Sequence, residues 1–196
     1  LAVIGFGGTK GKSTSTYYMK AVVDDYLAAQ DKPESAVIST IDIYDGKSKV
    51  ESHITTPEAV ELQMHLRNAL DCNIEYAEME ISSQALKYGR VDEMQFDVSV
   101  FLNISEDHIS PIEHPDFEDY FQSKMKMFEK SKTAVVNLDA DYIDQILEAS
   151  KAAGEVVTFS TKNPEADYYA YNIHKEGKDI HFSVKCEAFD EEFVLT

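Results

Sequence analysis

The sequence predicts an α/β fold: a mostly parallel β-sheet with helices on both faces, extended on its C-terminal side by a small antiparallel β flap. Three observations predict it. An apolar run, Leu1 to Ile4, enters a glycine-rich loop that opens a helix. Apolar runs of strand type then alternate with stretches of helical spacing as far as Ser160, the pattern of strand–helix–strand crossovers. After Pro164 the chain changes to short alternating segments with no helix between them. With 196 residues, 43% hydrophobic and 28% charged, the chain is long enough for one core and has the composition of a soluble globular protein.

The first element is a strand at Leu1–Ile4, uniformly apolar as in strands covered on both faces. Gly5, Gly7, Gly8 and Gly11 then let the backbone bend around an anion. Lys12 and Ser13 fall in the first turn of the following helix, where backbone N–H groups face a phosphate, a lysine ammonium reaches the β and γ oxygens, and a serine hydroxyl can hold Mg²⁺. The loop reads G-x-x-G-T-x-G-K-S, with Phe6 where the strict G-x-x-x-x-G-K-[ST] pattern has glycine. It points to a nucleoside triphosphate; the alternative is a glycine-rich turn that binds nothing. The helix spans Thr14 to about Gln30, with Tyr17, Tyr18, Ala21, Val22, Tyr26 and Leu27 as its apolar positions, and ends at Asp31-Lys32-Pro33.

A strand follows at Ala36–Ile41, then a hairpin over Ile43–Ile54 turning at Asp45-Gly46. In HITTPEAVELQMHLRNAL, Thr56 reads as an N-cap, Pro57 as the first helical residue, and Glu58 and Glu61 sit in the early turns of a helix running to about Asp71. The strand Tyr76–Ile81 ends in Ser82-Ser83, with a short helix at Gln84–Tyr88. Glu80, at the carboxyl end of that strand, stands where α/β nucleotide sites keep a metal-linked carboxylate; the alternative is an exposed edge-strand glutamate. The strand Phe96–Ile104 runs into Ser105-Glu106-Asp107-His108, and the two-proline stretch SPIEHPDF is a loop. A helix at Phe117–Lys130 carries Tyr120, Phe121, Met125 and Phe128 on its apolar side and Lys124 one turn from Tyr120. The alternation closes with strand Thr133–Leu138, helix Asp141–Ala153 and strand Val156–Ser160. The flap strands are Asp167–Ile173, Ile180–Cys186 and Glu191–Leu195, with a turn at Glu176-Gly177-Lys178. Residues 1–160 thus form the expected phosphate-loop core, and 161–196 a small extension of the same domain.

The 18 basic and 36 acidic residues give a net charge of −18, which argues against nucleic acid as a partner and for a cytoplasmic protein. No segment reaches membrane-spanning length. Cys72 and Cys186 lack metal or disulfide spacing and read as incidental thiols in a reducing compartment. A strand at residue 1 without an initiating Met suggests a piece of a longer polypeptide.

GFGGTKGKST, TTPEAVELQ, MEISSQAL, FLNISEDH with YFQSKMKMF, and VVNLDAD stand in this order through nearly the whole chain. The ordered set resembles the central ATP-binding domain of the Mur ligases, most closely the MurE type, which adds the third peptide residue to UDP-MurNAc-dipeptide. The resemblance implies that ATP phosphates are held by Gly8, Thr9, Lys10, Gly11, Lys12, Ser13 and Thr14, and that Asn137 and Asp141 lie near the base and ribose. It implies two Mg²⁺ ions, the first at Ser13 and the second between Glu80 and His108, with Lys124 carrying a carbamate. A plain ammonium would repel Mg²⁺, whereas a lysine that has taken up CO₂ is an anionic oxygen ligand. Lys12, Glu80, His108 and Lys124 are then the catalytic set, and Thr55, Thr56 and Ser82 hold the UDP-MurNAc side.

Some positions depart from the pattern. Lys10 replaces the usual Asn, Gln84 the usual His of the MurE type, and Ala140 the first of a paired acidic stretch. His108 and Lys124 are 16 residues apart (124 − 108), slightly more than usual, so Lys126 competes as the carbamate carrier. His53, His65, His114, His174 and His181 read as surface or half-buried residues. The implied reaction is ATP-dependent amide formation through an acyl phosphate, with UDP-MurNAc-peptide and an amino acid as substrates, in a monomer. The family's N-terminal UDP-binding and C-terminal domains are absent from these residues, so this chain alone is expected to be inactive. A folylpolyglutamate-synthase-like ligase and a non-catalytic nucleotide-binding module are the alternatives.

Overall fold

A computed structural model describes residues 1–107, 109–110 and 112–196. Its described strands form one eleven-stranded mixed sheet, in the order β11-β10-β9-β8-β7-β6-β1-β5-β2-β3-β4. These are β1 (Ala2–Gly7), β2 (Ala36–Ile38), β3 (Asp42–Tyr44), β4 (Lys49–Glu51), β5 (Tyr76–Ile81), β6 (Phe96–Phe101), β7 (Ser131–Asn137), β8 (Glu155–Ser160), β9 (Tyr168–Glu176), β10 (Asp179–Lys185) and β11 (Asp190–Leu195). The neighbours from β2 through β5, β1, β6, β7 and β8 to β9 all run parallel, and antiparallel pairs extend both edges. The helices are α1 (Lys12–Ala28), α2 (Ala59–Asp71), α3 (Ser83–Lys87), α4 (Phe117–Glu129) and α5 (Ile143–Ser150).

The order decides where a ligand can sit. From β1 the chain first builds toward β2 and β5, then crosses to β6, β7 and β8 on the other side. The connections diverge at the carboxyl ends of β1 and β6, leaving the crevice in which open α/β sheets bind ligands. Right-handed crossovers leading in opposite directions place α1 and α4 on opposite faces. On the α4 side the core is apolar: Met79, Ile81, Phe96, Phe101, Tyr120 and Phe128 are buried, and the rings of Phe101 and Phe128 lie 5.7 Å apart.

The α1 side differs from its expected apolar helix face. Tyr18, Val22 and Tyr26 are exposed, and the helix residues that are buried are Thr16 and Leu27. Tyr17 donates to Asp42 and contacts Ser39 Oγ at 3.1 Å. Lys20 Nζ donates to Ser35 O at 2.8 Å, and Asp24 Oδ1 accepts from Ser35 N–H at 2.7 Å. A polar layer docks α1 because β5 turns the buried Glu78 and Glu80 toward it.

Several boundaries moved. β1 continues to Gly7, and β2 stops at Ile38 because Ser39 Oγ accepts from the N–H of Ile41 and Asp42, closing a turn. Thr56 is not the N-cap of α2; Glu58 holds that position in extended conformation without a side-chain cap bond. The flap is continuous with the main sheet, since β9 pairs parallel with β8 through Phe159–Tyr168 and Ser160–Tyr169. Among the described residues no helix is long and apolar enough to cross a membrane.

Candidate active site

The loop between β1 and α1 is built to leave amides open. Gly8 has φ 151°, and a Cβ there would lie 3.1 Å from Leu102 Cβ and 3.3 Å from the Asn103 carbonyl, so only glycine fits. Gly11 takes the left-handed conformation at the N-cap, φ 86°, and places no side chain over the end of α1. The first amide to bond back into the helix is that of Ser15, to Gly11 O at 2.9 Å. The N–H groups of Lys12, Ser13 and Thr14 therefore have no partner within the helix, the arrangement by which helix N-termini bind anions.

The amides of Thr9 and Lys10 are used differently. Asn103, just past β6, accepts both on its Oδ1, at 3.1 and 2.9 Å, and donates through Nδ2 to Lys10 O at 3.0 Å. Thr9 Oγ1 meets the Tyr120 hydroxyl at 2.9 Å and accepts from Ser105 N–H at 3.0 Å. The loop is thus clamped from β6 and α4. Lys10 points outward, its ammonium paired with Asp107 at 2.9 Å.

Two lysines from different helices converge on one loop carbonyl. Lys12 Nζ donates to Gly8 O at 3.0 Å and to Thr9 O at 3.3 Å; Lys124 Nζ donates to Gly8 O at 2.8 Å. Lys124 is 2% exposed and lies over the Tyr120 ring. Burial drives its ammonium well below the ordinary lysine range and the neighbouring Lys12 charge adds to this, with Asp107 opposing. Burial lowers Lys12 as well, against Glu80 and Asp107. Lys126 is exposed on the other side of α4. Glu80 is 1% exposed, not an edge-strand glutamate, and its Oε1 accepts from Thr40 N–H at 2.8 Å. His108 lies outside the described residues.

Lys12 and Lys124 open onto a cavity of about 200 Å³ that Thr55, Ser82, Ser83, Gln84, Arg90 and Glu113 also line. A larger groove of about 560 Å³ lies against the first residues of β8, at the opposite strand ends from the phosphate loop. The model of the Mur ligase middle domain matches residues 7–195. The chain belongs to the Mur ligase middle-domain family.

Among the relatives of this Mur ligase domain are the UDP-N-acetylmuramoyl-L-alanyl-D-glutamate–L-lysine ligase of Enterococcus faecalis, 43% identical over 86% of the chain, and the corresponding 2,6-diaminopimelate ligase of Clostridium botulinum, 35% identical over 93%. The chain covers 33% and 36% of those two proteins, about a third of their length. A solved 2,6-diaminopimelate ligase structure superposes with a TM-score of 0.79 over 98% of the chain and 38% of its own, at 24% identity, a likeness of fold.

Within this Mur ligase domain the remaining expected site residues divide. Thr55 and Ser82 line the cavity, whereas Thr56 is fully buried. Its hydroxyl donates to Glu80 O at 2.9 Å and accepts from Ser82 N–H at 3.1 Å, latching the loop before α2 to the end of β5. Asn137 donates to Leu102 O at 2.8 Å and accepts from Asp139 N–H, so it braces the strand end next to the clamp; Asp141 is exposed. Gln84 donates to Glu113 at 3.2 Å.

Sequence reasoning missed Asn103, Arg90 and His114. Asn103 had a visible signal, an amide just beyond a strand that flanks a phosphate loop. Arg90 stands alone in its segment; its Nη1 donates to Thr56 O at 3.2 Å, Nη2 pairs with Glu58, and its buried Nε has no partner among the described residues. His114, expected near the surface, is fully buried between Asp119 Oδ2 at 2.6 Å and Ser83 Oγ at 2.9 Å. His65 is likewise buried, 2.7 Å from Asp45.

Proposed function

We propose that this middle domain is the ATP site of an amide-forming ligase that adds an amino acid to a UDP-MurNAc-peptide through an acyl phosphate. The observation that carries the reading is the meeting of Lys12, Lys124 and the open end of α1 at Gly8, beside the buried Glu80. The ATP phosphates take the amides of Lys12, Ser13 and Thr14. The Lys12 ammonium, now resting on two loop carbonyls, exchanges those bonds for phosphate oxygens. Gly8, Thr9, Lys10 and Gly11 shape the loop, with Thr9 and Lys10 acting through the Asn103 clamp. Asn137 and Asp141 are assigned to the side of the base and ribose.

The donor set fits Mg²⁺. Glu80 is a buried hard-oxygen ligand with one oxygen engaged by a backbone amide. Burial pushes Lys124 toward its uncharged form, and only an uncharged amine adds CO₂, releasing a proton and leaving a carbamate oxygen. Lys124, not the exposed Lys126, is therefore our carbamate carrier. Ser13, Glu80, His108 and the Lys124 carbamate would hold two Mg²⁺ ions, which neutralise charge on the transferring phosphoryl group. Thr55, Ser82 and Arg90 face the UDP-MurNAc-peptide, and Thr56 positions them. The peptide carboxylate attacks the γ-phosphorus, releasing ADP; the incoming amine then displaces phosphate from the acyl phosphate. The chain itself aligns the reacting groups and stabilises their charge, and these two effects supply most of the acceleration in phosphoryl transfer.

We assign residues 1–160 to the core and 161–196 to an extension of the same domain, since β8 and β9 share one sheet. We assign a monomer working in the cytoplasm; domains for the UDP end and the amino acid would account for the part of the relatives' length that the chain does not span. Relatives named as muramoyl-peptide ligases favour this over a folate substrate. The test is phosphate release by the full-length parent with Mg-ATP, UDP-MurNAc-dipeptide and either L-lysine or meso-diaminopimelate. Release that needs both the muramyl substrate and one amino acid is the expected result. ATP binding without release in any combination would replace the ligase with a non-catalytic module.

A further inference from the structure

The β9–β10 hairpin carries a constellation that the ligase reading leaves unused. His174 and His181 are Cα partners across the antiparallel ladder, their rings stacked with centroids 5.3 Å apart. Glu176, two residues beyond His174 and so on the same face, brings Oε2 to 3.6 Å from His181 Nε2. One donor atom from each of the three lies within 4.8 Å of the others, the one such group of three among the described residues. Donors on a tetrahedral ion with bonds of about 2.1 Å sit about 3.4 Å apart, so small side-chain rotations complete the set.

The outer contacts point the same way. His174 Nδ1 lies 2.8 Å from Asn172 O, and His181 Nδ1 lies 3.4 Å from Glu192 Oε1 on β11. Both oxygens accept, so the tautomer with the proton on Nδ1 satisfies each of these contacts and is the one that offers Nε2 to a metal. Metal-binding histidines are oriented by this kind of second hydrogen bond. Asn172 has φ 52°, and the ladder shifts register between His181 and Ser183, a bulge directly beside the pair. Bulges of this kind re-aim side chains at functional sites.

We propose that His174, Glu176 and His181 form a binding site for a late first-row divalent cation, zinc foremost, oriented by the Asn172 carbonyl and Glu192. Two imidazoles and one carboxylate select Zn²⁺, Ni²⁺ or Cu²⁺ over the hard Mg²⁺. Bound metal would staple β9 to β10 and raise the stability of the folded chain by mass action.

Calorimetric titration of the 196-residue chain with ZnCl₂ in excess Mg²⁺ should show one saturable site. His174→Ala and His181→Ala should each weaken it tenfold or more, with the metal-free circular dichroism unchanged because both side chains lie on an accessible hairpin. Co²⁺ should give the intense visible bands of a tetrahedral site in the wild type and in a Cys72→Ser/Cys186→Ser variant, but not in the double histidine variant. No saturable zinc binding, or zinc binding unchanged in the double histidine variant, would overturn the proposal.

Discussion

Replacing Asn103 by alanine tests whether the phosphate loop is held by its neighbour strand or holds itself. The side chain makes three hydrogen bonds to the loop, at 3.1, 2.9 and 3.0 Å. A net contribution of about 1 kcal/mol each sets the ceiling. The two bonds to Lys10 lie at the surface, where water replaces part of the lost partner, so about 2 kcal/mol is expected in all. That energy maintains the order of the loop, and binding must restore what the substitution releases; an affinity scales with the fraction of competent molecules. The apparent Kd for Mg-ATP should rise about 30-fold. Isothermal titration gives the affinity, and hydrogen exchange at the Lys10 amide reports the clamp itself, with faster exchange expected in Asn103→Ala; the Thr9 amide keeps its bond to the Asn103 main-chain oxygen at 3.1 Å. An ATP affinity within twofold of wild type, with the Lys10 amide exchanging at its original rate, would refute the clamp.

Lys124→Met should stabilise the fold. The folded-state pKa lies below that of the unfolded chain, so from about pH 10 downward the unfolded chain takes up a proton that the folded chain refuses, and stability is lost as pH falls. The gain over wild type in urea midpoint, measured in CO₂-free buffer, should therefore be larger at pH 7 than at pH 9.5; a gap independent of pH would contradict a depressed lysine. Glu78 offers the opposite case. Its buried carboxyl is pushed up to about 7 from 4.5, chiefly by burial, so folding loses stability as pH rises between those values and no more above them. A tenfold change in an ionisation constant is about 1.4 kcal/mol, so Glu78→Gln should gain on wild type by up to about 3 kcal/mol between pH 4.5 and pH 8, read from denaturant curves of both. Gly8→Ala combines φ 151° with overlap against Leu102 and Asn103, and should cost about 2 kcal/mol and at least tenfold in ATP affinity; normal affinity in that variant would show that the loop can take another path.

What the sequence determined by itself was the set of local features. The uniform Leu1–Ile4 run, the glycines that need open backbone angles and the Lys12-Ser13 helix start state their roles within sixteen residues, because strand burial, positive φ and helix polarity are properties of short segments. The alternation of strands and helices in turn implied a parallel sheet, and the ordered motifs implied the family. What depended on distant partners was not legible. Tyr18, Val22 and Tyr26 have the spacing of a buried stripe, yet the sheet below α1 presents Glu78 and Glu80, so a polar face docks there instead. Thr56 has the chemistry of an N-cap, but a hydroxyl accepts whichever N–H the fold supplies, and here it is that of Ser82, 26 residues away. Lys124 and Lys126 look equivalent in the sequence. Two residues of helix turn them about 200° apart, and only the packing of α4 against the glycine-rich loop decided which one is buried at Gly8, stripped of water and pushed toward its uncharged form.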